Sequence, residues 1–367
     1  MFKFDKLREV HLEITNRCQA ACPMCPRNIH GGIENPLLKI NDWTFEDFTQ
    51  IFTSTVLQQV TSFIFCGNFG DPVLNKDLVK MCNHIKEHNP ASAVSIHTNG
   101  SLRKPEWWAD LVKVLPDNHQ VVFALDGLED TQALYRVGTD FNKIITNANA
   151  LIAAGGRAVW HFIRFKHNEH QLDRCKELAK ELGFVDFITK NTRRFTNSNF
   201  KVVDYEGTVT HLLEPTTDNV IEFVDRKHLE TTYPKWSAST DIHCMALNDT
   251  SLYIDAHFTA MPCCILASWL YTSYDTAILE RNGLYDETTT VDIMGATVKE
   301  QVYKLVEALG GLPALDVKVH GIKSIINSPT WQTIWQDKWQ NGGSLSCSLM
   351  CSSNSPFIPL QQQKIND

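Results

Sequence analysis

Apolar positions recur with two different periods along the first half of this chain. Short strand-like runs fall near residues 8–14, 60–66, 93–97, 120–125, 158–165 and 185–189. The first of them, Arg8-Glu9-Val10-His11-Leu12-Glu13-Ile14, alternates apolar and polar residues as a half-buried strand does. Between the runs lie amphipathic stretches near 44–56, 75–88, 105–114, 142–154 and 169–182. In the last stretch Leu172, Cys175, Leu178, Ala179 and Leu182 keep helical spacing, and Gly183 stops it. The stretch 142–154 ends at Gly155-Gly156, a glycine C-cap signal. Regular strand–helix alternation implies a parallel sheet with right-handed crossovers. Six strands suit an open, partial barrel better than a closed eight-fold one. The predicted fold is α/β.

Beyond residue 190 the alternation dissolves into a polar stretch, Asn191 to Asn199, and a second soft region follows at 214–219. An alternating strand pair is expected around Leu252-Tyr253-Ile254-Asp255, and helices over 297–309 and 324–335. Trp331, Trp335 and Trp339 are four apart and line one helix face, where burying aromatic area is their expected use. The expected division is 1–190 for the barrel, 191–240 for a linker and 241–360 for a small cysteine-ligated domain. The tail 361–367 is expected to fray.

Composition narrows the function without choosing it. A chain of 367 residues can bury a large core, and its net charge of −8 gives no support for a nucleic-acid-binding surface. No apolar run reaches membrane-spanning length, and the N-terminus shows no export signal, so a cytoplasmic location is expected. Eleven cysteines in such a chain argue for reduced thiols and metal ligation, not for disulfides.

The cysteines fall in two groups. Cys18, Cys22 and Cys25 follow the first strand with C-x3-C-x2-C spacing, on a loop at a strand's C-terminal end, where α/β folds place their chemistry. A cubane iron–sulfur cluster takes four ligands; three thiolates leave one iron open for a cofactor or substrate. Zinc is the alternative, with His11 or His30 as fourth ligand. The second group is Cys244, one of the adjacent Cys263 and Cys264, Cys347 and Cys351, enough for a closed auxiliary cluster. A zinc site or buried free thiols are its alternatives. Cys66, Cys82 and Cys175 fall on strand or helix core positions and are expected to pack.

The triplet resembles the signature of the radical S-adenosylmethionine (AdoMet) superfamily, and further segments match in order. Gly67-Asn68-Phe69-Gly70-Asp71-Pro72 is similar to its G-x-x-G-E-P segment, with Asp71 in place of glutamate. Thr98-Asn99-Gly100, Asp126-Gly127 and the strand end at Phe165 follow, so the resemblance covers residues 8–190. It implies a partial (β/α)6 TIM-like barrel with a [4Fe-4S] cluster on Cys18, Cys22 and Cys25. It also implies AdoMet contacts from Gly67, Gly70, Asp71, Pro72, Thr98, Asn99 and Asp126. Arg164 or Arg136 would meet the AdoMet carboxylate. Gly67 and Gly70 are expected to supply backbone angles that bulkier residues resist, and N-capping is the alternative role for Asp71.

The second cysteine group resembles the Twitch form of the SPASM-type extension, which implies a second [4Fe-4S] cluster. There Pro262-Cys263 matches the expected ligand position. Cys264 is then a packed thiol or a hydrogen donor. These resemblances imply an oxidoreductase-like enzyme that cleaves AdoMet reductively and abstracts a substrate hydrogen, with electrons from a flavodoxin- or ferredoxin-type reductant. The expected substrate is a small molecule that is dehydrogenated, with a ribosomally made peptide as the alternative. An iron–sulfur electron carrier or zinc-stabilised binding module is the non-enzymatic alternative.

Overall fold

The computed structural model describes residues 2–192, 194–195, 199–218, 240–272, 280, 283–284, 290–340 and 344–352. Its frame is one eight-stranded sheet. In chain order the strands are β1 Glu9–Leu12, β2 Ser62–Phe65, β3 Ala93–Thr98, β4 His119–Ala124, β5 Ala158–Arg164, β6 Asp186–Asn191, β7 Ser251–Ile254 and β8 Ala260–Met261. Across the sheet they run β8-β7-β1-β2-β3-β4-β5-β6. All neighbours pair in parallel except β7 and β8. The fold is thus mixed α/β with a mostly parallel sheet, as the alternation predicts, and the six expected strands form its consecutive part.

Strands seven and eight are the departure. The hairpin around Leu252–Ile254 adds to the free edge of β1, with Val10 opposite Leu252 and Leu12 opposite Ile254. A partial barrel leaves β1 with unpaired N–H and C=O groups, and an added strand satisfies them. Sequence pattern shows the hairpin but not which edge it joins.

The sheet has two unlike faces. Val10, Leu12, Phe63, Phe65, Ile96, Phe123, Trp160 and Phe162 are fully buried against the outer helices. Those helices include Leu78–His88, Pro105–Val114, Phe141–Ala153 and Leu172–Leu182. Successive side chains on a strand alternate faces, so the intervening positions line the concave side. There stand His11, Ser95, His97, Gln120, His161 and Lys190, an unusually polar barrel interior.

Two further pieces lie at the C-terminal rim. Phe200–Val203 and Val209–Leu213 form an antiparallel hairpin, in a region expected to be linker. Its Val202 and Leu213 pack with Ala20, Cys22, Met24, Tyr135 and Phe165, beside the cysteine loop. The expected helix over 324–335 is two, Ile322–Asn327 and Pro329–Gln340, because Pro329 cannot continue the first. Trp331 and Trp335 are buried and stack edge-on at 5.5 Å. The side chain of Trp339, the linker's 219–239 and the tail 361–367 lie outside the described residues.

Candidate active site

The triplet sits on the loop that leaves β1. Two short turns shape it: Cys25 N–H donates to the Cys22 carbonyl at 3.0 Å, and Asn28 N–H to that of Cys25 at 3.0 Å. Cys22 is buried; Cys18 and Cys25 are partly buried. Burial first, then Asp71 and Cys22 for Cys18 and Cys22 for Cys25, push both thiols above the ordinary range. Three such thiols can ionise together only against a strongly cationic partner, which a metal cluster supplies. The donor set fits one. His11 and His30 are both committed elsewhere: His11 Nε2 donates to the Cys66 carbonyl at 2.6 Å inside the barrel, and His30 Nδ1 pairs with the Lys201 carbonyl at 2.6 Å.

Polar groups from three later strand ends gather on the same loop. Asn99 Nδ2 approaches Cys18 Sγ at 3.7 Å, and Arg136 Nη1 approaches Cys22 Sγ at 3.8 Å. Cys25 Sγ lies 3.6 Å from the Asn68 carbonyl. Asp126 is fully buried; it accepts from Arg136 Nε at 2.6 Å and from Ile163 N–H at 2.6 Å. Its role here is to aim Arg136 at Cys22. Arg164 instead pairs with exposed Asp218 at 2.8 Å. Of the two arginines named from sequence, Arg136 reaches the triplet.

The glycine-rich segment is folded against the loop before Cys18. Glu13 Oε1 accepts from Phe69 N–H at 2.7 Å and Gly70 N–H at 2.9 Å. Neither Gly67 nor Gly70 has a left-handed φ, so the reason for glycine differs from the expected one. It is close approach: a Cβ on Gly70 would lie 1.9 Å from the Thr15 carbonyl oxygen, and one on Gly67 2.5 Å from that of Gly70. Asp71 N-caps the short turn Pro72–Leu74, in which Pro72 is buried. Its other oxygen accepts from Thr98 Oγ1 at 2.9 Å, Asn99 N–H at 2.8 Å and Asn99 Nδ2 at 2.5 Å. Asp71 therefore ties two strand ends together, and burial raises it despite those donors.

The second cysteine group comes together from three places. Cys244 caps the turn Met245–Asn248, Cys263 precedes the helix Cys264–Ser268, and Cys347 and Cys351 lie one turn apart in Leu345–Cys351. His243 N–H donates to the Cys351 carbonyl at 2.7 Å, which joins the first place to the last. Burial pushes Cys244 up to about 11, with Cys351 and Cys347 adding to the rise. Cys263 is raised by burial, then by Cys264, Cys347 and Cys244. Cys264 raises Cys66 as well as Cys263, and both Cys264 and Cys66 feel Glu13. The segment is not a continuous strand as expected, since Cys264 opens a helix, so the alternation of strand faces does not separate the two thiols.

Three residues to which the sequence assigned no role, Glu13, Asn68 and Arg194, bear on these groups. Glu13 carries the glycine-rich segment on one oxygen and receives Tyr253 Oη at 2.5 Å on the other. Asn68 Nδ2 donates to the Cys264 carbonyl at 2.8 Å. Arg194 Nη1 donates to the Met24 carbonyl at 2.8 Å and its charge favours the Cys25 thiolate. Arg194 lay in a polar stretch with no periodic signal.

Residues 12–187 match the profile of the family described as the Radical SAM superfamily. The chain is 26% identical over 211 residues to the tungsten-containing aldehyde ferredoxin oxidoreductase cofactor-modifying protein of Pyrococcus furiosus, across 55% of this chain and 56% of that one. The alignment thus spans only about half of that relative's length. A GTP 3′,8-cyclase of Staphylococcus epidermidis is 22% identical over 302 residues, across 77% of this chain and 84% of its own. Among solved structures, Streptococcus suis SuiB bound to S-adenosylmethionine superposes with a TM-score of 0.46 at 14% identity, covering 78% of this chain and 67% of that one.

Proposed function

We propose, for a chain whose residues 12–187 belong to the radical SAM superfamily, an enzyme that cleaves AdoMet reductively and abstracts a hydrogen atom from its substrate. The observation that carries it is the triplet Cys18, Cys22 and Cys25, partly to fully buried at the sheet's C-terminal rim, with Asn99 and Arg136 turned onto its thiols. When bound there, a [4Fe-4S] cluster with one open iron supplies one-electron cleavage of AdoMet and so the abstracting radical. The chain's residues hold and orient the reactants. Arg136, fixed by Asp126, sets positive charge beside Cys22. The packed backbone of Gly67–Gly70, held by Glu13, offers carbonyls beside Cys25 for an ammonium group. Thr98 and Asn99 offer short polar groups for a ribose.

Cys244, Cys263, Cys347 and Cys351 are assigned to an auxiliary [4Fe-4S] cluster. Their mutual electrostatic effect supports this, and Cys263 as the ligand is supported by the action of Cys347 and Cys244 on Cys263 and not on Cys264. An auxiliary cluster suits net oxidation, since it can accept the electron left on a substrate radical; dehydrogenation of a small molecule is the reading adopted. The electron for AdoMet cleavage would come from a flavodoxin- or ferredoxin-type reductant. No helix among the described residues is long and apolar enough to cross a membrane, and a cytoplasmic enzyme is proposed.

Loading tests the assignment. Two cubanes require about eight irons per chain. The Cys18/Cys22/Cys25→Ala variant should keep about half of the wild-type iron with a cluster spectrum, and should no longer retain AdoMet. A variant that holds zinc and no iron contradicts the auxiliary cluster. Undiminished AdoMet retention contradicts the role of the triplet.

A further inference from the structure

The barrel interior contains a partly buried ammonium with no carboxylate at ion-pair distance among the described residues. Lys190, on β6, lies 3.0 Å from His161 Nδ1 on β5. An ammonium only donates, so Nδ1 is the acceptor and the His161 proton sits on Nε2. On β3, Ser95 Oγ accepts from Gln120 Nε2 at 3.1 Å and lies 3.1 Å from His97 Nε2. A hydroxyl oxygen can accept two hydrogen bonds, so this contact fits either His97 tautomer. Burial, with the Lys190 charge next in effect, pushes both imidazoles down to about 3, so both are neutral. The rings stand edge to face with centroids 5.6 Å apart.

The hydrogen count leaves a surplus of donors. Two Lys190 hydrogens and His161 Nε2–H have no acceptor among the described residues, and His97 Nδ1 has no hydrogen-bond partner there. No described carboxylate lies within ion-pair distance of Lys190. A partly buried charge of this kind is costly unless something pairs with it. A cavity of about 300 Å³ lies on the side of His97 away from the rim, lined by Glu9, Ser95, His97, Gln120 and Arg157 among others, and Lys190 and His161 stand outside its lining. Toward the rim, Lys190 feels Cys66, Asp126 and Arg136, the last of which abuts the triplet. The surplus donors therefore lie between the cavity and the cysteine loop.

We propose that Lys190, His161 and His97 bind an oxyanion group of the substrate, a carboxylate or a phosphate monoester, inside the barrel; this rests on the enzymatic reading above. One cation and the neutral His161 donor, with the His97 ring beside them, match a small oxyanion in both charge and hydrogen-bond polarity. The anchor would fix one end of the substrate below the rim and leave its other end facing the radical source.

The test is calorimetric titration of the cluster-loaded, AdoMet-loaded enzyme with inorganic phosphate and, separately, with acetate. Saturable binding of phosphate alone supports a phosphorylated substrate, and of acetate alone a carboxylate. Lys190→Met should weaken that binding about tenfold or more, and Lys190→Arg should keep it within a few fold. Lys176→Met, on an exposed helix face, is the control and should change nothing. Iron content and the melting temperature of each variant show that it has folded. Equal affinity in wild type and Lys190→Met, or no binding by wild type of either anion, overturns the proposal. The same wild-type preparation is assayed for 5′-deoxyadenosine under reducing conditions. Its formation without anion binding overturns the anchor alone, and its absence overturns the reading beneath it.

Discussion

Glu13 is the residue on which the site's two halves meet. One oxygen holds Phe69 and Gly70; the other receives Tyr253 from the added hairpin. Asp255, Cys66 and Cys264 also face it. Burial raises its carboxyl from the ordinary value to about 7, against the pull of its three hydrogen bonds. A raised carboxylate means that the folded protein binds more protons than the unfolded chain between about pH 4.5 and 7. Stability from this group is therefore full at the acid end and falls as pH rises through that window, by at most about 1.4 kcal/mol per pH unit. Denaturation midpoints at pH 5.5 and 7.5 should show the decline, and Glu13→Gln should flatten it. A wild-type midpoint that rises over this interval contradicts the assignment. The adjacent cysteines make a second residue-scale prediction. Cys263→Ala should lower iron content and Cys264→Ala should leave it unchanged; the reverse outcome moves the ligand by one position. Intact clusters and AdoMet cleavage without product in Cys264→Ala would give that thiol the hydrogen-donor role.

At the scale of elements, the strand ends are held by the helices behind them. Asn147, buried in the helix Phe141–Ala153, donates through Nδ2 to the carbonyls of Gly100 and Leu102 at 2.8 and 3.0 Å. Those bonds fix the turn that presents Thr98 and Asn99. Asn147→Ala leaves the Gly100 carbonyl without its donor and the Leu102 carbonyl with Trp108 Nε1 alone, and should cost about 1–3 kcal/mol, measured by denaturant unfolding. An unchanged midpoint would show that the turn holds its own shape. The same elements show what a sequence discloses. The six parallel strands and their helices were legible because each buries one face against a neighbour, which writes a period of 2 or 3.6 into the chain. The attachment of β7 to β1 was not legible, for the pairing of distant edges leaves no local pattern. Gly67 and Gly70 were visible as glycines, but their reason was not. Only the fold brings the Thr15 carbonyl to where a Cβ would stand. Glu13 looked like any strand carboxylate until the glycine-rich segment closed over it.

Across the whole molecule, the structure arranges two sets of thiols around one polar interior. The triplet lies at the rim, held by Asn99, Arg136 and the Asn68 carbonyl. The other set is tied to the glycine-rich loop through Asn68, Tyr253 and Glu13. Between them the barrel exposes histidines and a lysine where other barrels pack apolar layers. Such an arrangement suits a reaction in which a substrate is held inside while electrons enter and leave near the rim. The most direct measurement of that account is AdoMet turnover. Anaerobically reconstituted enzyme, reduced with dithionite, should convert AdoMet to 5′-deoxyadenosine and methionine, and Cys22→Ala should abolish the conversion. Wild-type protein replete with iron and sulfide that yields no 5′-deoxyadenosine, or a Cys22→Ala variant that yields as much as wild type, would contradict it.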